Sequence, residues 1–358
     1  MSEGRAAGLD GLRGVAAVTV ALGHFFFLFP QNNWTVVWKY SPLYVLVAGR
    51  EAVVVFFVLS GFALYRMMER QGGRSYGPFA VRRIVRIYGP YLAALGLAVA
   101  GNFSLSQGSR AGFSEWFNQE WPIPLRTNEV VRHVLFLGYY NTAVFNGAFW
   151  SLVHEMRISL VFPLLYVLME IRAIRKRAVW GIGIAVATIV AGSFLGAWVG
   201  QPNNIGETVH YAGLFIAGIL IAQRPGLGVS RAWLCCGLVL FYYGRGVSRL
   251  VPLPYANLLD LPVGAGALIL VRGALRSRWM MAAAAQWMGR RSFSLYLMHV
   301  PVLLALVNVL NLQKPHFALI FLYVPFTVLL TEGFYRAVER PMLNLSRSVK
   351  KKSADLIR

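Results

Sequence analysis

The sequence predicts an all-α, polytopic integral membrane protein with about ten transmembrane helices and both termini in the cytoplasm. Three observations lead to this prediction. Of the 358 residues, 57% are hydrophobic and only 14% are charged, whereas a soluble protein is usually about one quarter charged. Apolar stretches that can cross about 30 Å of hydrocarbon recur along the whole chain. Lys and Arg residues are concentrated in alternate loops, the pattern that orients membrane proteins.

The predicted spans are short to medium in length, and the sixth, seventh and eighth are the shortest. In order they are Leu12–Phe29, Glu51–Met68, Ile87–Leu105, Phe149–Ile171, Ala178–Val199, Val209–Ala222, Ala232–Gly244, Ala256–Val271, Ser292–Leu312 and Phe317–Val338. Because no linker or low-complexity tract interrupts them, we expect one membrane domain over residues 1–345 and a basic cytoplasmic tail over residues 346–358.

The loops between these spans support the orientation. An even number of spans places both termini and every second loop on one side, and that side holds most of the Lys and Arg residues, Arg74 and Arg358 among them. Arg249 is one of the few on the other side. Since Phe29 and Pro30 run on into Gln31 without a small-residue cleavage site, we expect the first span to be retained.

The longest segment outside the spans, residues 106–148, is on the outer side in this orientation. It contains Trp116 and Trp121 and a short apolar patch, so an interfacial or re-entrant piece is expected there.

Composition excludes two further classes. The net charge of +21 could indicate nucleic-acid binding, but the basic residues lie between apolar runs rather than along one binding face. Cys235 and Cys236 are adjacent within an apolar stretch, so neither a disulfide framework nor a metal-ligand spacing is present. We therefore expect no metal and no redox chemistry.

Charged and polar residues inside the spans indicate function, because such residues are costly in a membrane. The first span has Asp10 and Arg13 at its inner end and His24 eleven residues after Arg13. Eleven residues is about three helical turns, so Arg13 and His24 share a face. As an alternative, Arg13 is only a positive-inside anchor and His24 only packs helices together.

The fourth span places Ser151 and Glu155 four residues apart, on one helical face. Glu155 is at a depth similar to that of His24, so we expect the carboxylate to pair with the imidazole and raise its basicity. The alternative is an ion cluster of His154, Glu155 and Arg157 that holds helices together.

The segment before the third span contains Arg83 and Arg86, three residues apart. Two guanidinium groups on one face match phosphate oxygens, although orientation or anionic lipid contact explains the spacing equally well. The ninth span adds a group of polar side chains, and Glu332 in the tenth lies at a comparable depth. The group consists of Ser292, Ser294, Tyr296 and His299.

Together these segments resemble the acyltransferase-3 family of integral membrane O-acyltransferases. Five motifs occur in family order from the first span to the ninth, so the resemblance covers nearly the whole chain. They are Leu9-Asp10-Gly11-Leu12-Arg13-Gly14 with His24, the stretch from Phe56 to Phe62, Arg83-x-x-Arg86, Phe149-Trp150-Ser151-Leu152 with Glu155, and Ser294-Leu295-Tyr296-Leu297-x-His299.

The resemblance implies an acyl donor, an acceptor and a place in the cell. The donor is acyl-coenzyme A, most simply acetyl-coenzyme A, which acts as a co-substrate and not as a bound cofactor. The acceptor is a hydroxyl, typically on a surface or exported carbohydrate and sometimes on a macrolide or another small molecule. The protein is then a multi-pass protein of the bacterial inner membrane whose partners are the lipid bilayer and its two substrates, with no nucleic acid. The oligomeric state stays open.

The resemblance also assigns residue roles. It implies that His24 is the catalytic histidine, either as general base or through a transient acyl-histidine, and that Arg13 is its essential companion. Arg83 and Arg86 are implied to bind the coenzyme A phosphates. Glu155 joins the catalytic group, and the supporting polar residues are Asp10, Ser151, Tyr296 and His299.

Two other classes compete with the enzyme. A proton-coupled secondary transporter would use Glu155, His24 and His299 as a proton relay, but it gives the arginine pair no role and no internal repeat is visible. A non-catalytic membrane sensor or assembly subunit would not require a His and a Glu at one depth.

Overall fold

The computed structural model describes residues 3–71, 76–224, 226, 228–247 and 256–355, and these residues form helices, turns and loops without strands. Arg74, Arg249 and Arg358, which entered the orientation argument, lie outside the described residues. The α-helices, in chain order, are α1 (Glu3–Phe27), α2 (Asn33–Tyr40), α3 (Gly49–Gln71), α4 (Tyr76–Leu105), α5 (Glu115–Gln119), α6 (Thr127–Leu135), α7 (Trp150–Glu170), α8 (Arg172–Lys176), α9 (Ala178–Val199), α10 (Ile205–Gln223), α11 (Arg231–Val247), α12 (Asp260–Ala274), α13 (Ala283–Val309), α14 (Ile320–Phe334) and α15 (Arg340–Asp355).

Within the described residues, nine helical stretches are long and apolar enough to cross a membrane. The prediction of a polytopic helical membrane protein is therefore confirmed. The nine stretches are Ala7–Phe27, Gly49–Arg70, Tyr76–Leu105, Gly147–Glu170, Ala178–Val199, Ile205–Gln223, Asn257–Ala274, Ala283–Val309 and Phe317–Ser348.

Several predicted spans differ from the structure, among them the ninth, which begins at Ala283 and not at Ser292. The seventh corresponds to α11, whose 17 residues rise only about 26 Å, and α11 is not among the nine. The third begins earlier than expected, at Tyr76, so Arg83 and Arg86 lie within α4 and not before it. The last extends to Ser348 through a π-helical turn at Tyr335–Glu339. The predicted boundary between residues 345 and 346 falls within α15 and stays a prediction.

Several helices expose apolar side chains along their length, as lipid contact requires. Trp198 on α9 is 84% exposed and Phe321 on α14 is 80% exposed. Proline lies inside α4, α7, α13 and α14, which membrane helices tolerate because neighbouring groups satisfy the freed carbonyl.

The chain forms two compact units: Met1–Thr19, Ala48–Arg74 and Arg157–Arg290 make up the first, and Val20–Val47, Ser75–Met156 and Arg291–Arg358 make up the second. The first unit encloses a polar cluster. In it, His210 Nε2 lies 3.1 Å from Asp260 Oδ2 and His210 Nδ1 lies 2.9 Å from Ser193 Oγ. Arg245 donates to Asp260, and its Nε lies 3.5 Å from Glu51 Oε1. The cluster links five helices, because each of these residues belongs to a different one.

In the second unit, the segment after α4 folds into short helices that pack on the unit's long helices. Arg110, 7% exposed, donates to the carbonyl of Val307 and to Asn308 Oδ1, at 3.3 and 2.8 Å, so it covers the end of α13. Tyr91 Oη donates to the His133 carbonyl at 3.0 Å. Asn146 Nδ2 donates to the Leu297 carbonyl at 3.0 Å and joins the segment to the middle of α13.

Candidate active site

The His24 imidazole lies near the end of α1, in the second unit, and contacts α13. Its Nδ1 is 3.0 Å from the Val20 carbonyl oxygen and 3.2 Å from His299 Nε2. The Nδ1 of His299 is in turn 3.0 Å from the Leu295 carbonyl oxygen. A carbonyl oxygen only accepts, so in the neutral imidazoles both Nδ1 atoms carry the proton. His299 Nε2 is then an acceptor for His24, and His24 Nε2 is left with its lone pair.

Two aromatic side chains surround the same imidazole. The ring centroids of Phe27 and Trp116 each lie 5.4 Å from that of His24, in edge-on arrangements. The two aromatic rings are also 6.0 Å from each other. His24 itself is half-buried, so the aromatic side chains around the imidazole leave part of the residue accessible.

Ser151 and Tyr296 meet beside this pair of histidines. Ser151 Oγ lies 2.7 Å from Tyr296 Oη, which donates to the Ala148 carbonyl at 2.9 Å. The ring of Tyr296 is 5.8 Å from that of His299. The structure thus brings together four residues that the sequence analysis named: His24, His299, Ser151 and Tyr296.

Glu155 has a different partner from the expected one. Its Oε1 lies 3.1 Å from Arg83 Nη2, and Arg83 is buried. In the part of the chain that the structure describes, the hydrogen-bond partners of the His24 ring are Val20 and His299. The expected pair of Glu155 with His24 is therefore wrong. A guanidinium lies within reach on α4, and a charge-assisted bond to it is stronger than one to a neutral imidazole.

The two arginines of the predicted phosphate site differ in exposure. Arg83 is 7% exposed and pairs with Glu155, whereas Arg86 is exposed.

In α13, Ser294 donates from its amide and its hydroxyl to Glu339 Oε2. Arg291 Nη2 lies 3.1 Å from Glu332 Oε1, so the Glu332 carboxylate is part of an ion pair.

Asp10 and Arg13 belong to the first unit, where both are half-buried on α1. The glycines between and after them have a packing role. A Cβ at Gly11 would lie 2.0 Å from the Met280 carbonyl oxygen, and one at Gly14 would lie 2.6 Å from the Gly289 nitrogen. This start of α1 therefore touches the neighbouring backbone directly, which only glycine permits.

Sequence reasoning missed one buried acid close to the site. Glu120 is 5% exposed, and its Oε1 accepts from the Gly147 amide at 2.9 Å. Its Oε2 has no hydrogen-bond partner among the described residues. Burial raises the pKa of Glu120 well above its ordinary range. Glu120 lies in a loop whose sequence has no hydrophobic periodicity. The only signal in the sequence is its position four residues after Trp116.

His133 is a second buried ionisable group of the segment 106–148. It is fully buried, its Nδ1 lies 2.7 Å from the Glu129 carbonyl oxygen, and burial lowers its pKa. Its ring packs on Tyr140 and Phe145. Within the described residues, no three His, Cys, Asp or Glu side chains are grouped closely enough to hold a metal ion.

The fold and this site define a polytopic membrane protein with a histidine-centred site. A family profile for an acyltransferase domain matches residues 6–336, and the chain belongs to this family, acyltransferase-3, as the motifs indicated. It is therefore an acyl-transferring enzyme. It is similar to a protein named acyltransferase MdmB from Streptomyces mycarofaciens, with 28% identity over 323 residues, 82% of this chain and 78% of the relative. No solved structure matches the chain.

Proposed function

We propose that this enzyme transfers an acyl group, most simply acetyl, from acyl-coenzyme A to a hydroxyl of a carbohydrate or another small acceptor. The observation that supports this most strongly is the His24–His299 contact at 3.2 Å, because it orients one imidazole nitrogen as a base. The motifs of the acyltransferase-3 family and the similarity to acyltransferase MdmB are consistent with it.

In the proposed reaction, His24 Nε2 takes the proton of the acceptor hydroxyl as its oxygen attacks the thioester carbonyl carbon. The carbon–sulfur bond then breaks, and the thiolate leaves with the proton from the imidazolium. Positioned base catalysis of this kind contributes about 10²- to 10⁴-fold in rate. The Nδ1 contacts to Val20 and His299 hold the ring in the tautomer that this step requires.

Arg13 and Arg86 are proposed to act on the donor. Arg13 either stabilises the negative charge on the tetrahedral oxygen or orders the thioester. Arg86 is exposed on α4, so its guanidinium can bind a coenzyme A phosphate. Arg83 pairs with Glu155 and acts through that ion pair, which joins α4 to α7.

We also propose that the protein lies in the bacterial inner membrane with both termini in the cytoplasm. The charge distribution of the loops supports this orientation, and it gives the donor-binding groups access to cytoplasmic coenzyme A. Reporter fusions at each terminus test it: an active cytoplasmic reporter at both ends supports it, and an active periplasmic reporter at either end contradicts it.

The test of the proposed function uses the purified full-length protein and acetyl-coenzyme A. Thiol release is followed in detergent with and without candidate acceptors, and mass spectrometry identifies any acetylated product. The same protein in sealed proteoliposomes is assayed for proton flux. Acceptor-dependent thiol release with a matching acetylated product supports the proposal. Proton flux without thiol release would favour the transporter instead.

A further inference from the structure

A group of three residues in the segment 106–148 reaches the His24 ring through Trp116, and the proposed reaction gives this group no role. The group consists of Trp116 at the start of α5, Glu120 just after α5, and Gly147 at the entrance to the fourth membrane stretch. We propose that Trp116 contacts the acceptor beside His24, and that Glu120 is a positioning residue that holds Trp116 and the Gly147 turn in place. This inference rests on the proposed function.

Trp116 has the position and the free groups of a substrate-binding side chain. Its ring lies edge-on to His24, with centroids 5.4 Å apart, and the side chain is half-buried, so part of the indole is accessible. Its Nε1–H has no hydrogen-bond partner among the described residues. A flat, partly accessible apolar surface therefore lies next to the proposed base, and the same side chain carries an N–H donor.

The chemistry of these groups indicates the class of acceptor. An indole offers an apolar face and one N–H donor, and Phe27, 44% exposed, adds a second ring 6.0 Å from it. Ligand sites combine apolar and aromatic walls with a few directed polar groups. A saturated ring that has C–H groups on one face and hydroxyls at its edge fits this combination, and a pyranose sugar is such a ring.

Gly147 shows how closely the three residues converge. A Cβ built on Gly147 would lie 2.5 Å from Glu120 Oε1 and 3.0 Å from Trp116 Nε1. Both side chains thus occupy the space that any larger residue would need. The Gly147 amide donates to Glu120 Oε1 at 2.9 Å, which fixes the turn relative to the carboxyl.

Glu120 acts through its neighbours, because its own oxygens are buried. The described residues form no ion pair with it, and burial raises the pKa of its carboxyl. A neutral carboxylic acid accepts from the Gly147 amide as well as an amide side chain would. We therefore expect Glu120→Gln to keep Trp116 and the Gly147 turn in place and Glu120→Ala to release them. Only glutamine retains both the hydrogen-bond acceptor and the side-chain volume.

The experiment measures acceptor and donor KM separately, with acetyl-coenzyme A as donor and the methyl glycoside that the wild type acetylates fastest as acceptor. Trp116→Phe removes the N–H and part of the ring surface but keeps an aromatic face, and it should raise the acceptor KM at least about 3- to 10-fold, the effect of one hydrogen bond. Trp116→Ala and Glu120→Ala should raise it further, whereas Glu120→Gln should stay within about 3-fold of the wild type. The donor KM should not change.

The controls are Trp279→Phe and Glu115→Gln, which change exposed residues and should leave both KM values unchanged. If an alanine variant does not elute as a folded particle in detergent, the inference is tested by the acceptor KM values of the Trp116→Phe and Glu120→Gln variants. An unchanged acceptor KM in the folded Trp116 variants overturns the inference while the proposed function stands. If the wild type releases thiol but acetylates no methyl glycoside, the carbohydrate acceptor and this inference both fail.

Discussion

The Nε2 atom of His299 lies 3.2 Å from the Nδ1 atom of His24, and each histidine also donates from Nδ1 to a carbonyl one turn earlier in its own helix. The contact joins α13 to α1 within the second unit. It gives His299 a definite task, which is to accept a hydrogen bond from the proposed base and so hold its tautomer.

His299→Leu removes this acceptor and should lower kcat about 10- to 100-fold, the range typical when a partner that orients a metal-binding histidine is lost. Both KM values should change little, because His299 is not expected to touch either substrate. His299→Gln retains an acceptor at a similar distance and should recover part of the rate. A kcat of His299→Leu equal to that of the wild type would remove His299 from this role.

Arg86→Ala should raise the KM for acetyl-coenzyme A about 10-fold, because one charge-assisted contact to phosphate is lost. The acceptor KM should not change. Arg83→Ala should mainly lower the melting temperature, because it leaves the Glu155 carboxylate without this ion pair. Equal increases of both KM values in Arg86→Ala would make this arginine an orientation signal and not a phosphate contact.

Asp260→Ala should destabilise the protein by about 3–5 kcal/mol, because it removes a buried anion that accepts from His210 and Arg245. Thermal unfolding in detergent measures this effect. Glu69→Ala is the control, since Glu69 is 40% exposed and pairs with Arg66 on the same helix, and it should cost less than about 1 kcal/mol. A similar loss of stability in both variants would show that the buried cluster stabilises the protein no more than an exposed ion pair does.

Glu120 gives the stability a pH dependence. In the unfolded chain its carboxyl ionises near pH 4.3, about its ordinary value, whereas burial raises its pKa in the folded protein. The folded state therefore binds more protons between these two values, and stability falls as the pH rises through that range. The group that contacts the carboxyl is the Gly147 amide, and Glu115 on the adjacent helix is exposed.

Glu120→Gln cannot ionise, so its melting temperature relative to the wild type should increase with pH. The comparison is made at about pH 5 and about pH 8, on either side of the neutral range. A difference that stays constant with pH would mean that Glu120 is already ionised in the folded protein.

The sequence was sufficient for the fold class and for part of the site. Apolar length and loop charge are local properties, so the helical spans followed from them, and the polar residues His24, Ser151, Tyr296 and His299 were recognisable because membrane spans rarely contain such groups. The sequence did not show which of these side chains pair with each other, because the pairing depends on how each helix is rotated about its own axis. Depth alone could not decide whether Glu155 meets His24 or Arg83.

The segment 106–148 was the least predictable part of the chain. Trp116, Glu120 and Gly147 lie in short helices and turns that have no hydrophobic period, and the amide that contacts Glu120 is 27 residues away. Nothing in the local sequence shows that this carboxyl is buried. The helix α11, Arg231–Val247, extends beyond the predicted seventh span at both ends, because an apolar run does not show where a helix begins or ends.

The most direct test of the central claim is the rate of acetyl-coenzyme A-dependent acyl transfer by purified His24→Ala protein. His316→Ala is the control, because His316 is exposed in the turn before α14 and should be replaceable without loss. If His24 is the general base, kcat of His24→Ala falls by about 10²- to 10⁴-fold, while the protein elutes in detergent as the wild type does and His316→Ala keeps full activity. Substantial transfer by folded His24→Ala would contradict the account.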